Sequence, residues 1–187
     1  MSRSSYTFPS IHDFPPFYTL QPTAATQQKQ IQLWCDILLA YCAATRTFSI
    51  DLGEIKGAGA KPKGAAEVFV NERLRRSLNR EGIQTIIDAL VNQGHAEWES
   101  SAKERCIVLW RKPEEWASLI YKWAFDTGST NSICTVYELI HGEGTEGQDF
   151  HDLDERTMIK ALEALSKTGK AQLFTGASHS EMGVKFF

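Results

Sequence analysis

Long apolar runs are missing from this chain. No stretch approaches the roughly 20 consecutive apolar residues a bilayer-crossing helix needs. Cysteine is scarce: Cys35, Cys42, Cys106 and Cys134 lie far apart, with no C-x-x-C and no paired ligand spacing. Cys35 and Cys42, seven apart in an apolar helical pattern, read as small buried hydrophobes rather than as metal ligands or disulfide partners. A large excess of charge is also missing. Lys plus Arg number 20 against 23 Asp plus Glu, a net charge of -3, which argues against a general polyanion binder but leaves room for a local basic patch. The opening residues Met1–Pro9 lack the apolar core of a secretory signal, so an intracellular protein is expected.

Catalytic patterns are equally sparse. There is no G-x-S-x-G elbow, and Ser178-His179-Ser180 falls in a polar turn. Histidines 12, 95, 141, 151 and 179 never form H-E-x-x-H. His141 and His151 bracket Glu143, Glu146 and Asp149, either a weak chelating loop or a hydrated acidic surface. Gly57–Gly64 has glycines and lysines without the phosphate-loop order, and Pro62 removes an amide donor where a cradle needs one. No enzyme activity, cofactor or metal is expected.

What the chain does have is 42% hydrophobic residues, enough for folded cores. Phe14-Pro15-Pro16-Phe17-Tyr18-Thr19-Leu20-Gln21-Pro22 mixes proline with aromatics, which favours an extended strip over residues 1–22. From Thr23 or Thr26 to about Thr45, Ile31, Trp34, Cys35, Leu38, Leu39, Tyr41 and Cys42 fall at helical spacing. A short strand at Phe48–Ile50, a glycine-bearing loop over 53–64 and a short helix from about Phe69 to Ser77 follow. Asn79 caps a helix with Ile83, Ile86, Ile87, Leu90 and Val91 inward, and Gly94 ends it before the strands Ala96–Trp98 and Cys106–Trp110. Pro113 opens another helix. Cys134–Val136 starts a strand leading into a short helix, Asp154 caps a helix that Gly169 stops, and strands Ala171–Phe174 and Gly183–Phe187 finish the chain.

An internal echo implies two domains of one type. Ile83, Ile87, Leu90, Gly94, Ala96 and Trp98 recur 75 positions on as Met158, Leu162, Leu165, Gly169, Ala171 and Leu173. The expected fold is mostly α with small β-hairpins (α+β): two tandem winged-helix domains behind an extended Pro/aromatic N-terminal segment. The domains are 23–125, including a linking helix 113–125, and 126–187. Trp116, Ile120 and Trp123 on that linking helix are expected to pack the two domains together.

Two functions compete. A winged-helix nucleic-acid-binding or transcription-associated protein would use Arg73, Arg75 and Arg76, just before the helix that Asn79 caps. Residues 1–125 hold 15 basic and 13 acidic residues, whereas residues 126–187 hold 5 and 10, so DNA would repel the second half. Protein binding accounts for more of the chain, because rigid prolines and aromatic anchors are typical of interface hot spots. Pro15-Pro16-Phe17-Tyr18 also has the P-P-x-Y form that aromatic grooves accept. The same strip could instead fold back on its own domain.

Several segments resemble the small-subunit family of the ESCRT-II endosomal sorting complex. They are Phe14–Pro22, Gln28-Lys-Gln30 with Trp34-Cys35, Trp110-Arg-Lys-Pro-Glu-Glu-Trp116 with Leu119-Ile-Tyr121 and Trp123, Tyr137-Glu-Leu139, Phe150-His151, Leu153-Asp-Glu155 and Gly183–Phe187. The match runs from residue 14 to the last residue, with residues 53–66 matching poorly. The resemblance implies a non-enzymatic adaptor of two winged helices, with two copies per Y-shaped complex. Phe14, Pro15, Pro16, Phe17, Tyr18 and Leu20 would bind the two larger ESCRT-II subunits. The second domain would recruit the first ESCRT-III subunit, with Glu155, Lys160 and Glu163 as candidate contacts on the exposed face of its long helix. The work implied is sorting ubiquitinated cargo into multivesicular bodies, from the cytoplasm, on recruitment to the endosomal membrane. Membrane association would be indirect, and no direct nucleic-acid contact is expected.

Overall fold

A computed structural model describes residues 6–55, 63–176 and 181–187 and separates into two units, Met1–Trp110 and Arg111–Phe187. The loop at 53–64 and the turn holding Ser178-His179-Ser180 therefore lie largely outside the described residues.

The first unit is built on helix α1 (Ala24–Thr45), which buries Gln30, Trp34, Cys35, Ile37, Leu38, Tyr41 and Cys42 along one stripe. It stops at Arg46, which adopts left-handed geometry at φ 50°. Strand β1 (Ser49–Asp51) follows, and later a tight 3-10 turn over Gly64–Phe69 buries Ala65, Ala66, Val68 and Phe69. Strands β2 (Val70–Asn71) and β3 (Arg76–Ser77) then form a small hairpin where the sequence predicted a helix over Phe69–Ser77. Two local features favour the hairpin. The Asn71 side chain accepts the Leu74 amide at 3.0 Å, and Arg75 takes a left-handed φ of 52°.

Helix α2 (Arg80–Asn92) is capped by Asn79, whose Oδ1 accepts the Gly82 amide at 2.8 Å. Gly94, at φ 76°, turns the chain into β4 (Ala96–Trp98), which pairs with β5 (Arg105–Val108). Strand β5 also takes β1 on its other side, so the antiparallel order is β1-β5-β4.

The second unit repeats this scheme. Helix α3 (Pro113–Asp126) opens with the Glu115 carboxylate accepting the Lys112 amide at 2.7 Å. After β6 (Ile133–Thr135) comes the short helix α4 (Val136–His141), where Thr135 and Glu138 cap each other reciprocally. Helix α5 (Glu155–Lys167) is capped by Asp154, which accepts the Thr157 amide at 3.1 Å, and Gly169 turns the chain at φ 72°. Strands β7 (Ala171–Phe174) and β8 (Gly183–Phe186) complete a sheet ordered β6-β8-β7. In both sheets the last strand lies in the middle.

Candidate functional site

The N-terminal segment is not the extended strip the sequence predicted. Residues Ser10–Asp13 and Pro15–Tyr18 each close a 3-10 turn, and the turns fold back onto α1. Phe17 and Tyr18 are 3% and 5% exposed and belong to the first unit's own core. The physical reason is Trp34, whose ring stacks on Phe17 at 4.1 Å and meets Tyr18 edge-on at 5.5 Å. Burying each such side chain stabilises by about 1.5–3 kcal/mol, more than an isolated strip gains in water. Both rings are therefore withdrawn from the surface on which the sequence placed them.

The fold-back leaves a ledge. Phe14 is 53% exposed between the two turns, and Pro15 and Pro16 beside it are exposed. Leu20 is half-buried and lines a cleft of about 470 Å³ with Tyr18, Thr19, Ser77, Asn79, Glu81, Gly82 and Thr85. Of the six side chains expected to meet the larger subunits, three face solvent, one flanks a cleft and two are anchors.

Polar groups fix the ledge from below. Gln30 donates from Nε2 to the Phe17 carbonyl at 2.8 Å and the Thr19 carbonyl at 3.0 Å. Its Oε1 accepts the Gln21 amide at 3.0 Å, while Trp34 Nε1 donates to the Phe17 carbonyl at 3.2 Å. On the other flank, the Tyr18 hydroxyl donates to the His12 carbonyl at 2.9 Å, and Asn71 Nδ2 donates to the same oxygen at 2.9 Å. The His12 ring, stacked on Phe8 at 4.1 Å, is bonded from Nε2 to the Val68 carbonyl at 2.9 Å. A carbonyl only accepts, so Nε2 carries the proton and Nδ1, 3.3 Å from Asn71 Nδ2, is the acceptor.

Burial pushes the His12 imidazole below its ordinary value, with the Val68 carbonyl and the Asp13 carboxylate pulling the other way. Hydrogen bonds from Arg73 and then Asn71 hold the Asp13 carboxyl below the usual range. Sequence reasoning placed Trp34 in the core but gave no role to His12, Asn71 or the Gln30 side chain. The available signal was the four-residue spacing of Gln30 and Trp34, which sets them one above the other on a helix face.

The residues expected to join the two domains act inside the second unit. Helix α3, predicted as the tail of the first domain, packs on α5, with Trp116 and Ile120 1% and 0% exposed. The Arg111 guanidinium lies 4.4 Å over the Trp116 ring. Trp123 donates to the Gly144 carbonyl at 3.0 Å and meets Phe150 edge-on at 5.8 Å. Of the candidate contacts on α5, Glu155 and Glu163 are exposed and Lys160 is half-buried.

Three of the four thiols, Cys35, Cys42 and Cys106, are wholly buried, and burial raises Cys35 and Cys106 to about 12, so they are inert packing groups. His141 is bonded to Asp152 at 3.0 Å, and His151 to the Thr145 hydroxyl at 2.9 Å. Among the described residues no group of three or more His, Cys, Asp or Glu could hold a metal ion. Of the basic residues around the start of α2, Arg73 pairs with Asp13 at 2.6 Å and Arg80 with Glu104 at 3.5 Å.

These features define a class: tandem units of mixed helices and small antiparallel sheets, the first carrying a folded aromatic ledge. The ESCRT-II complex subunit family matches residues 11–154, and the chain belongs to that family. It is 39% identical over 183 residues to vacuolar protein-sorting-associated protein 25 of Danio rerio, covering 98% of this chain and 99% of the relative. A crystal structure of subunit VPS25 of the endosomal trafficking complex ESCRT-II superposes with a TM-score of 0.82 at 27% identity, covering 96% of this chain and 98% of that one. A chain in the crystal structure of the ESCRT-II complex of VPS22, VPS25 and VPS36 superposes with a TM-score of 0.79 at 27% identity, covering 95% and 98%.

Proposed function

We propose that this chain is a non-enzymatic adaptor subunit of ESCRT-II whose two units are winged helices. The repeated sheet order and the matching helix, Gly-x-Ala and hairpin sequence support that description of the units. The ledge Phe14-Pro15-Pro16 docks the larger subunits, for which VPS22 and VPS36 of the solved complex are the candidates. The observation that carries this is a half-exposed phenylalanine and two exposed prolines immediately before a buried Phe17-Tyr18 anchor. Such groups bring apolar contact area at low entropic cost. The role places the chain in the cytoplasm, recruited to endosomal membrane through its complex, in two copies per assembly, for sorting ubiquitinated cargo into multivesicular bodies. No helix among the described residues is long and apolar enough to cross a membrane.

Replacing Phe14 and Pro16 together by alanine is expected to weaken binding to a purified VPS22/VPS36 complex by about tenfold or more. Because both side chains face solvent, the unfolding temperature should hold. Undiminished affinity in isothermal titration would falsify the docking role.

A second surface serves the first ESCRT-III subunit. Phe125, Ile133, Tyr137, Phe174 and Phe187 of the second unit are large apolar side chains left exposed, and residues 111–187 hold 12 acidic against 8 basic residues. Exposed apolar side chains on a unit of net negative charge suit an amphipathic basic helix. Affinity for that subunit's basic helical segment should fall as salt rises from 50 to 500 mM, by roughly the several-fold expected of screened rim charges. Salt-independent binding counts against a charged surface, and retained affinity after Glu155→Gln with Glu163→Gln counts against α5.

A further inference from the structure

A buried glutamine in the middle of a helix is costly unless all its polar atoms find partners. Gln30 is 6% exposed in α1. Its carboxamide offers one acceptor oxygen and two N–H groups. All of them reach the N-terminal segment: Oε1 to the Gln21 amide, Nε2 to the Phe17 and Thr19 carbonyls. Trp34, one turn on, fills the second lone pair of the Phe17 carbonyl. The helix side chains thus partner the backbone of a segment that pairs with no strand among the described residues and that follows directly on the exposed Phe14, Pro15 and Pro16.

We propose that Gln30 is the positioning residue of the docking ledge, folding Phe17–Gln21 so that Phe14-Pro15-Pro16 meets a partner already in its bound shape; this rests on the docking role proposed above. Ordering a free backbone costs roughly 1–2 kcal/mol per residue. With Gln30 in place that cost is met when the chain folds, so it does not weaken association. Without it the Thr19 carbonyl and Gln21 amide turn to water, the segment samples many shapes, and binding must order it again.

The test uses the full chain and purified VPS22/VPS36 complex, with wild type, Gln30→Leu, Gln30→Glu and Phe14→Ala measured side by side. Gln30→Leu is expected to weaken binding about tenfold, to near the affinity of a free peptide of residues 8–22. In the free variant the amides of residues 14–21 should exchange faster, while those of α2 and β5 stay as in wild type. In the complex the same amides should regain wild-type protection, which a general loss of folding would not give. Gln30→Glu keeps the shape and the acceptor but cannot donate, and a weakening of at least about threefold is expected.

Wild-type affinity for Gln30→Leu, with faster exchange at residues 14–21 and Phe14→Ala still weakened, overturns the positioning role and leaves the docking role standing. Wild-type affinity for both Gln30→Leu and Phe14→Ala overturns both roles. If Gln30→Leu fails to fold, Gln30→Glu decides, and wild-type affinity in it overturns the proposal.

Discussion

The two units share a sheet plan, with the last strand between the other two, yet they finish their surfaces differently. The first covers α1 with its own N-terminal segment and, among the described residues, leaves only Phe14 and Leu33 as large exposed apolar side chains. The second is shorter and, among the described residues, has no such strap and leaves five exposed. The same scaffold is thus closed in one place by aromatic rings from its own chain and left open in the other. The first unit is left with a small ledge of one phenylalanine and two prolines, the second with more exposed apolar side chains.

Removing the central tryptophan of each unit probes that difference with the largest expected effect. Trp34→Ala and Trp116→Ala should each destabilise their own unit by about 3–5 kcal/mol, since both rings are almost fully buried. Only Trp34→Ala should also release residues 10–21, seen as rapid proteolysis there under native conditions. Equal protection of that segment in both variants would mean that the strap is not held by the first unit's core.

The paired helix caps should respond alike. Asn79→Ala and Asp154→Ala remove side chains that occupy the same place in the two units, and each should cost about 1 kcal/mol in chemical denaturation. A loss confined to one of them would break the structural equivalence.

The smallest effect separates the units by pH. Buried His12 stays neutral below its ordinary value of about 6.5, so between those limits the unfolded chain binds a proton that the folded one does not. Its contribution is complete above that value and declines as pH falls below it. Protonation also turns Nδ1 from an acceptor into a donor facing Asn71, beside the Asp13–Arg73 pair and the Tyr18 hydroxyl. Thermal unfolding of the first unit should therefore drop between pH 7 and 5, and less so in His12→Gln. Identical pH profiles for the two proteins would contradict this assignment of His12.

Much of this was legible in the sequence. Helical spacing located α1, α2, α3 and α5 within a few residues, and Asn79, Gly94, Asp154 and Gly169 marked the ends of α2 and α5 because caps and left-handed turns restrict residue type locally. The β2–β3 hairpin was missed because its causes, the Asn71 turn and the left-handed Arg75, are single-residue choices inside a helix-compatible run. The ledge was half legible. Proline and aromatic content identified the segment, but whether its rings face outward depends on Trp34 and Gln30, which composition alone does not bring into contact with it. Helix α3 reads from sequence as a link on the first domain, yet it falls in the second unit, because order along the chain does not reveal which core a helix joins.

Amide hydrogen exchange on the free, full-length chain tests the prefolded ledge most directly. The Phe17, Thr19 and Gln21 amides, bonded to Phe14, Pro16 and Gln30, should exchange far more slowly than the acceptor-less first-turn amides Ala24–Thr26 of α1, with no partner present. Exchange of all three at the rate of an unstructured peptide would contradict it, and would mean the segment takes its shape only on binding.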